Sequence, residues 1–529
     1  MADEGAGAAG AASAAADRQH YMRKGMKTRR SLRREETAAG RMAAHAIDGI
    51  PGGFNVYDDH DINEKHLADA IVECCGRYIR HCPQIGWMAY NADEGRWTEL
   101  YAESAVERVI KHFGELLWEG ASTDNAQEMA FARRVLSSGG IAAVKKILSM
   151  DTTIAVERDR FDPEPFALNC MGEHLDLRTG EARPSEPEDM HSKTTACRAA
   201  GLARAEGGGK GAWELPEMTK GFEDFMRKAT SKDGERRSDL AFWILSYFGY
   251  CLTGETGASF FVNFHGMGKN GKSVLLNLML DLFGDYAATL PQDVVIENQF
   301  QGQFDLAGLP GIRLGVLVDA PEGRLNMDQL KSIVSGDAVN AKRKYMDDFK
   351  FRPICKVAVG SNPRLTLKDT GMAVRRRIRM VPFDWTVPEG EEVANLHRAL
   401  LRDEGPQILA LLAWFANQYY ANGEGPGAFP PCAVVDEASA EYMKSEDLVG
   451  RWKEERTEPE KGGSASTEDL YQDFKKWATE EGVRKIMQKS RFSEYLAIAI
   501  PEKKRVNNKW NYVGIRLKQP PPLPGTGGG

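Results

Sequence analysis

The sequence predicts a multidomain α/β protein with a mainly parallel sheet in its central domain. Its 529 residues correspond to about three or four domains of ordinary size. From residue 212 to about residue 385, apolar strands alternate with helical segments, an order that favours a parallel sheet covered by helices. An α-rich segment precedes this region and a helical segment with a terminal strand pair follows it, which indicates a further domain on each side.

Composition and charge exclude several classes of protein. With 42% hydrophobic and 27% charged residues, the chain is typical of a soluble globular protein rather than a fibrous one. The 69 Lys and Arg against 76 Asp and Glu give a net charge of −7, so only local basic patches could indicate a nucleic-acid partner. The most apolar stretch, Leu240–Leu252, is shorter than the ~20 residues that span a membrane. We therefore expect a cytoplasmic protein.

The N-terminal part divides into a tail and a helical domain. Residues 1–54 alternate Ala and Gly with a basic run and cannot bury enough apolar surface to offset their ordering entropy, so we predict a disordered tail. Residues 55–205 are predicted to form an α-rich domain with short strands towards its end. Its predicted helices cover Glu64–Ile79, Ala105–Trp118 and Ala126–Ser149. The Gly-rich stretch 206–211 is predicted to be a linker.

Two further domains follow the linker. Residues 212–422 are the predicted α/β core, and a Gly- and Pro-rich joint, Gly423–Pro431, separates this core from the rest. Residues 437–517 are predicted to form three helices and a strand pair around Lys503–Ile515, an order that suits a winged helix. The Pro- and Gly-rich residues 518–529 are predicted to be disordered.

A phosphate-binding loop is the strongest signal in the chain. Residues 266–273 fit G-x-x-x-x-G-K-S, between the apolar strand Phe260–Phe264 and the helix Val274–Leu282. The glycines allow successive N–H groups to surround phosphate oxygens, the lysine reaches the outer phosphates, and the helix terminus adds positive potential. We expect ATP or a related nucleotide, with Mg²⁺, to contact Gly266, Met267, Gly268, Lys269, Asn270, Gly271, Lys272, Ser273 and Val274.

Hydrolysis also requires an acid near the Mg²⁺. The apolar run Leu314–Val318 ends in Asp319, and Glu322 lies just beyond it. Ser273 and Asp319 are therefore the predicted Mg²⁺ ligands. The structural alternative is that acids after strands cap turns.

Two later segments offer the remaining groups. Asn362 follows the strand Val357–Val359 and could contact the terminal phosphate or hold the attacking water. Arg375, Arg376 and Arg377 precede the strand Ile378–Phe383 and could stabilise the transferred charge. Clustered arginines also commonly form a solvated surface, which is the alternative interpretation here.

The ordered set of motifs resembles superfamily 3 helicases, specifically the phage and plasmid primase-helicase family with its poxvirus-like branch. The resemblance begins with the G-x-G-x-N-G-K-S form of the loop and ends at the arginines. Between them it includes Phe283-Gly284-Asp285-Tyr286, Arg313-Leu314, Leu330-Lys331, Gly336-Asp337, Arg343, Phe351, Pro353, Ser361-Asn362-Pro363, Arg376-Arg377 and Pro382-Phe383. Phe161-Asp162-Pro163 and Leu175–Gly180 upstream, with Leu470-Tyr471 and Tyr512–Leu517 downstream, extend it over residues 55–517.

The resemblance implies an AAA+-like ATPase core, a preceding helical domain and a terminal winged helix. It implies a homo-oligomeric ring, usually a hexamer, with ATP between neighbouring subunits and single-stranded DNA in the central channel. Arg376 or Arg377 would reach the neighbour's ATP, and the winged helix would bind duplex origin DNA or a partner. The catalytic residues implied are Lys272, Asp319, Glu322, Asn362, Arg376 and Arg377. The DNA-binding residues implied, in a pore hairpin, are Lys342, Arg343, Lys344 and Tyr345.

The sequence departs from the family pattern at two places. Val318 precedes Asp319 where many members carry adjacent acids, so the role of Glu322 in activating water is open. Residues 1–54 are low-complexity and offer no room for a primase polymerase domain, so we expect a helicase-only form with any primase on a separate polypeptide.

The sequence thus predicts an ATP hydrolase, a DNA helicase that translocates on DNA during phage, prophage or plasmid replication in a bacterial cytoplasm. The alternative is an ATP-gated DNA-binding replication initiator or helicase loader without unwinding activity. A small-molecule kinase would leave the basic hairpin and the winged-helix-like end unexplained.

Overall fold

A computed structural model describes most of the chain between residues 37 and 518. The described ranges are 37–48, 63–200, 213–297, 306–342, 348–362, 364–368, 370–483, 486–500, 502–506 and 509–518. The predicted linker at 206–211 and most of the two predicted tails lie outside these ranges. Within them, no helix combines the length and apolarity that crossing a membrane requires.

The N-terminal unit is α-rich, as predicted, with one small antiparallel sheet. Its helices are α1 (Ala38–Asp48), α2 (Glu64–Cys75), α3 (Ala102–Gly120), α4 (Ala126–Val135) and α5 (Ser138–Leu148), and its strands are β1 (Ile79–Cys82), β2 (Gly86–Asn91) and β3 (Arg96–Thr98). The helix predicted over Ala126–Ser149 is divided in two. The Ser137 hydroxyl accepts a hydrogen bond from the Gly140 N–H at 3.1 Å and so caps a new helix start.

Helix α1 corrects the prediction of a continuous disordered tail. Met42, Ala43, Ala46 and Ile47 are buried in the core formed with α2 and α3. Their i, i+1, i+4, i+5 spacing places them on one helical face. Met42 and Ile47 are the two large apolar residues of this Ala-rich segment, and their burial anchors one short helix.

A second small antiparallel sheet connects the N-terminal unit to the core. It contains β4 (Ala167–Asn169), β5 (Glu173–Asp176) and β6 (Ala182–Pro184). Leu168, Leu175 and Leu177 are buried in the same hydrophobic cluster as the helices that follow residue 213. The chain segment before the predicted linker therefore packs directly on the core that follows it.

The central domain has a five-stranded parallel sheet, which confirms the predicted mainly parallel α/β core. Its helices are α6 (Lys220–Ala229), α7 (Ser238–Leu252), α8 (Lys272–Phe283), α9 (Gln292–Val295), α10 (Met327–Val334), α11 (Met372–Arg375) and α12 (Leu396–Ala421). Its strands are β7 (Phe261–His265), β8 (Ala287–Thr289), β9 (Leu314–Ala320), a hairpin of β10 (Val339–Lys342) and β11 (Asp348–Phe351), β12 (Lys356–Ser361) and β13 (Ile378–Pro382). The strand order in the sheet is β13-β7-β12-β9-β8.

Helices cover both faces of this sheet, so its strands are apolar on both sides. Val262 and Phe264 of β7 face α7, α8 and α12, whereas Phe261 faces the side where α9 and α10 pack. All residues of β12 are buried. The sheet is therefore a rigid platform, and the loops at the ends of its strands are placed by the strand order.

Two cations are buried beside the C-terminal end of α7. Arg313, which is 2% exposed, donates to the carbonyl oxygens of Leu252 and Ala167, the latter at 2.7 Å. Lys356, also 2% exposed, donates to the carbonyl oxygen of Thr253, and burial lowers its pKa to about 7. The Leu252 and Thr253 carbonyl groups are ones that a helix end leaves without intrahelical partners, and the two side chains satisfy them.

The C-terminal unit contains one more strand than predicted. Its helices are α13 (Ala433–Glu446), α14 (Leu448–Arg456), α15 (Thr467–Glu480) and α16 (Lys489–Ala499), and its strands are β14 (Thr457–Ser466), β15 (Lys503–Val506) and β16 (Lys509–Leu517). β14 pairs antiparallel with β16 through a register shift between Pro459 and Ser464. Sequence reasoning missed β14 because its Pro, Gly and charged residues are typical of a loop, and an edge strand tolerates them.

Candidate active site

The loop at residues 266–271 connects β7 to α8 with the backbone geometry that its glycines allow. Gly271, directly before α8, has a φ of 87°, in the left-handed region. A Cβ atom on Gly266 would lie 2.3 Å from the carbonyl oxygen of Phe383. Asn270 donates from Nδ2 to the same carbonyl oxygen at 3.1 Å, which ties the loop to the end of β13. The loop is therefore closely packed against the neighbouring strand.

Lys272 is held by neutral oxygen atoms. Its Nζ donates to the carbonyl oxygen of Gly266 at 3.2 Å, to Oδ1 of Asn270 at 3.0 Å and to Oδ1 of Asn362 at 2.8 Å. Burial lowers the pKa of Lys272, and the charge of Asp319 partly offsets this effect. Among the described residues, no carboxylate forms an ion pair with its ammonium group. This uncompensated positive charge suits an anionic ligand such as the outer phosphates of a nucleotide.

The strand order brings the other candidates to the same edge of the sheet. β12 lies between β7 and β9, and all three strands run in the same direction. Asn362, which follows β12, contacts Lys272 directly. Asp319 is exposed near the end of β9, where its charge acts on Lys272, and Glu322 is exposed in the turn beyond it. Ser273 lies half-buried in the first turn of α8, so a hydroxyl and a carboxylate are offered at this edge, as Mg²⁺ requires.

Asn263 is a polar residue of this region that sequence reasoning missed. It is 1% exposed in the centre of β7, and its Oδ1 accepts a hydrogen bond from the Ser361 hydroxyl at 3.0 Å. Its Nδ2 has no hydrogen-bond partner among the described residues. This hydrogen bond fixes the position of Ser361, which directly precedes Asn362. A single amide within the apolar strand 261–265 was the available signal.

The segment Arg375–Arg377, which we call the arginine turn, lies at the opposite edge of the sheet. β13 runs parallel to β7, and Ile378 pairs with Phe261 at the start of both strands. The phosphate-binding loop begins after His265, at the other end of β7. At about 3.3 Å per residue, the two sites are roughly 16 Å apart along the strand.

Of the three arginines in this turn, only Arg376 has a side chain without a hydrogen-bond or ion-pair partner among the described residues. Arg375 donates from Nε to the carbonyl oxygen of Thr370 at 2.8 Å. Arg377 donates to the carbonyl oxygen of Ala373 at 2.9 Å, and burial lowers its pKa. The guanidinium of Arg376 is exposed and forms no hydrogen bond or ion pair with the described residues. Arg376 is therefore the member of the predicted pair that is available to another molecule.

The β10–β11 hairpin contains one of the four candidate DNA-binding residues within the described part of the chain. The two strands pair antiparallel from Val339 opposite Phe351 to Lys342 opposite Asp348. Lys342 ends β10, whereas Arg343, Lys344 and Tyr345 lie outside the described residues.

A cluster of possible metal ligands lies in the N-terminal unit, away from this site. His174, Asp189 and His191 offer ligand atoms that lie within 4.8 Å of one another. However, both carboxylate oxygens of Asp189 accept hydrogen bonds from Arg183, and the two imidazoles contact each other at 3.0 Å. The side chains thus already satisfy one another as a polar network.

Two segments of the chain match known protein families. Residues 68–200 match the family described as D5 N terminal like. Residues 264–377, from the end of β7 to the arginine turn, match a family of unknown function, DUF5906. The second match therefore covers the phosphate-binding loop, the acid strand and Asn362.

Two viral relatives carry helicase names. A putative helicase, L207/L206, of Acanthamoeba polyphaga mimivirus is 22% identical over 337 residues, which are 60% of this chain and 33% of that protein. Putative helicase 022R of Frog virus 3 (isolate Goorha) is 25% identical over 231 residues, 40% of this chain and 24% of that protein. The chain thus spans about a third and a quarter of the lengths of these relatives. Together with the D5 N-terminal match, they make this chain similar in part to viral proteins that are named putative helicases.

Among solved structures, the apo structure of the NrS-1 C terminal region is similar over 86% of this chain and 100% of its own, at 9% identity and a TM-score of 0.45.

Proposed function

We propose that this chain is an ATP-dependent DNA helicase of superfamily 3, in the phage and plasmid primase-helicase family. Its subunits form a ring, a hexamer by resemblance, with an AAA+-like layout and ATP between neighbours. The observation that carries this proposal is the separation of the two charged groups. Lys272 and Asn362 lie at one edge of the sheet, and the unoccupied guanidinium of Arg376 lies at the other.

That separation favours an active site shared between subunits. A guanidinium roughly 16 Å from its own phosphate-binding loop cannot stabilise charge on a nucleotide bound there. The same side chain is exposed and free to enter a neighbouring subunit's site. Arg376, rather than Arg377, is therefore our candidate for the arginine supplied in trans.

The remaining residues have distinct roles in this proposal. Lys272 binds the outer phosphates in this proposal. Asn362, which contacts Lys272, is the candidate for binding the terminal phosphate. Ser273 and Asp319 would hold Mg²⁺, which neutralises charge on the phosphates. Glu322, exposed in the turn after β9, is the candidate for positioning the attacking water.

DNA is the proposed partner at two places. Lys342, at the end of β10, and the residues Arg343, Lys344 and Tyr345 that follow it in the sequence would contact a single strand in the ring channel. The C-terminal unit follows the order helix, strand, helix, helix, strand, strand from α14 to β16, which supports a winged helix. A winged helix is a further surface for DNA or for a partner protein.

ATP turnover with and without single-stranded DNA tests the proposal. We expect DNA to raise turnover of the native chain and Lys272→Ala to abolish it. Lys146→Ala, an exposed lysine on α5, is the matched control and should behave as the native chain. Strand displacement by the purified ring then tests unwinding itself. Unwinding that persists in Lys272→Ala would contradict the proposal.

The second candidate function is an ATP-gated initiator or helicase loader. The observation that favours it is the spacing of Asp319 and Glu322, which differs from the adjacent acids of many superfamily 3 members. In that case ATP would bind and change assembly, while turnover would stay negligible with and without DNA.

A further inference from the structure

A concave pocket opens on the C-terminal unit, away from the ATPase site. Its volume is about 600 Å³, and it lies between the start of α15, helix α16 and the β15–β16 hairpin. Lys489 and Ser493 of α16 line one side, and Lys503 and Trp510 of the hairpin line the other. A volume of this size is within the range of small-ligand sites. It can hold a nucleotide but is too small for a duplex.

Trp510 is the unusual residue of this pocket. Its side chain is 57% exposed, whereas Trp452 and Trp477 of the same unit are almost completely buried. Its backbone is fixed, because its carbonyl oxygen accepts a hydrogen bond from the Thr467 hydroxyl at 3.0 Å and it pairs with Arg505 across the hairpin. The unit therefore holds a large flat aromatic side chain in water on a paired strand, beside a pocket, where it is available to a ligand.

Two lysines, Lys489 and Lys503, line the pocket that contains this indole. Lys503 is exposed, with its Nζ 4.6 Å from the ring centroid of Tyr512, and Arg505, on the same face of β15, pairs across the hairpin with Trp510. On the opposite wall, Lys489 forms an ion pair with Glu468. The cations thus outnumber the acids around the pocket, so an anionic ligand is favoured.

We propose that this pocket binds an unpaired nucleotide of a DNA strand, with the base stacked on Trp510 and the adjoining phosphates near Lys503. A base within a duplex shows only its edges, whereas an indole face stacks on an exposed base face. The inference rests on the proposed function in taking DNA as the ligand. It deepens that function by assigning the C-terminal unit to unpaired strand at a fork or melted site, rather than to intact duplex.

Photo-cross-linking of the full-length chain tests this assignment. The probe is a DNA fork whose single-stranded arm carries 5-iododeoxyuridine, and a blunt duplex with the same base internally is the comparison. We expect mass spectrometry to find the fork cross-linked at the peptide that contains Trp510. The duplex should give little cross-linking there. Equal cross-linking of fork and duplex at Trp510 would overturn the proposal.

Variants supply a second readout. Trp510→Ala should lower the affinity for the fork about tenfold, the usual effect of losing one stacked base. Trp510→Phe should retain most of the affinity, because the smaller ring still stacks. Tyr101→Ala removes another aromatic side chain that is 56% exposed, and it should have no effect. An unchanged affinity in Trp510→Ala, with no cross-link at that peptide, would overturn the proposal.

The same experiment separates this inference from the proposed function. The cross-link is measured without nucleotide, and again in Lys272→Ala, where turnover is expected to be lost. A cross-link at Trp510 in both proteins, together with a native chain that shows no DNA-stimulated turnover, would support the pocket and count against the motor. DNA-stimulated unwinding without this cross-link would support the motor and overturn the pocket.

Discussion

The two edges of the central sheet differ in how completely their charged groups are satisfied. At the carboxyl ends of the strands, Lys272 contacts Asn270 and Asn362 within its own chain. At the amino ends, Arg375 and Arg377 have partners, but Arg376 between them has none among the described residues. One edge therefore holds its cation by contacts within the chain, and the other leaves a cation exposed.

In the proposed ring, this difference would let one chain carry both halves of an active site that only neighbouring subunits complete. A parallel sheet holds its two edges at a fixed separation, because the strands do not shorten. Each subunit could then offer a nucleotide-binding edge to one neighbour and an arginine edge to the other. In a head-to-tail ring, the exposed arginine of one subunit would face the nucleotide bound by the next.

The largest effect is expected for Arg376→Ala. We expect ATP turnover to fall about 10³-fold, the lower end of what an arginine supplied in trans contributes, while nucleotide binding is retained. Turnover and nucleotide affinity measured side by side check this. Arg375→Ala is the matched control and should lose far less turnover, because its guanidinium is occupied within the chain.

Mixing subunits would test whether the arginine acts between them. Arg376→Ala and Lys272→Ala each leave the opposite edge intact. A mixed ring therefore contains interfaces with both an intact loop and an intact arginine, and part of the turnover should return. Two inactive variants that stay inactive when mixed would contradict the shared site.

Asn362→Ala tests the contribution of the edge at the carboxyl ends of the strands. Its side chain is exposed, and its Oδ1 is one of three oxygens bound to Lys272. We expect turnover to fall about 10²-fold, as for the loss of one polar group at a charged transition state, with little change in stability. A thermal unfolding scan beside the kinetics would show whether stability is in fact unchanged. Full activity would exclude Asn362 from the site.

Gly271→Ala should strain the backbone of the phosphate-binding loop and so lower the stability of the protein. Gly271 has a φ of 87°, and a Cβ atom there would lie 3.2 Å from Cε2 of Phe225 on α6. We expect the free energy of unfolding to fall by about 1–2 kcal/mol, the usual cost of a left-handed Ala, and ATP affinity to weaken. Denaturant unfolding checks this, with Gly308→Ala as control, because a Cβ atom on Gly308 has no neighbour within 4 Å. Equal losses in both variants would contradict the argument.

Lys356 gives a pH-dependent effect on stability, of at most about 1.4 kcal/mol per pH unit, at the amino edge. Its pKa is lowered to about 7 by burial, against about 10.4 in an unfolded chain. Between these two values the unfolded chain binds a proton that the folded chain does not. This lysine therefore makes the free energy of unfolding rise with pH from about 7 upward, and the contribution is lost as pH falls towards 7.

Lys356→Met should remove that slope. From pH 7 to pH 9, the native chain should gain at most about 1.4 kcal/mol per pH unit relative to the variant. Urea unfolding of both proteins at several pH values measures the difference. Parallel stability curves would show that Lys356 keeps an ordinary pKa in the folded chain.

The parallel sheet and the loop could be predicted because their signals are local. The apolar strands at β7, β9, β12 and β13 are each followed or preceded by a polar group at the strand end, and strand direction then places those groups. The helix break at Ser137 and the edge strand β14 were missed. A serine cap competes with an otherwise continuous helical pattern, and β14 is defined by its pairing with β16 rather than by its composition.

The choice between Arg376 and Arg377 could not be made from sequence. Both follow α11 and are identical in type, and only the fold shows that the Arg377 guanidinium reaches the Ala373 carbonyl oxygen. Asn263 was missed for the same reason, because its hydrogen bond to Ser361 joins strands that are 98 residues apart in the chain. Contacts between segments that are distant in the chain decide which polar side chains have hydrogen-bond partners within the protein.

The buried Arg313 has a practical consequence for anyone who wishes to produce part of this protein. A fragment starting after the glycine-rich stretch would seem a natural ATPase unit, but it would lack the Ala167 carbonyl that Arg313 binds. It would also lack Leu168 and Leu177, which are completely buried in the intact chain, and so would expose the core residues on which they pack. We expect such a fragment to aggregate during expression, whereas one that begins ahead of Phe161 keeps these contacts and should remain in solution.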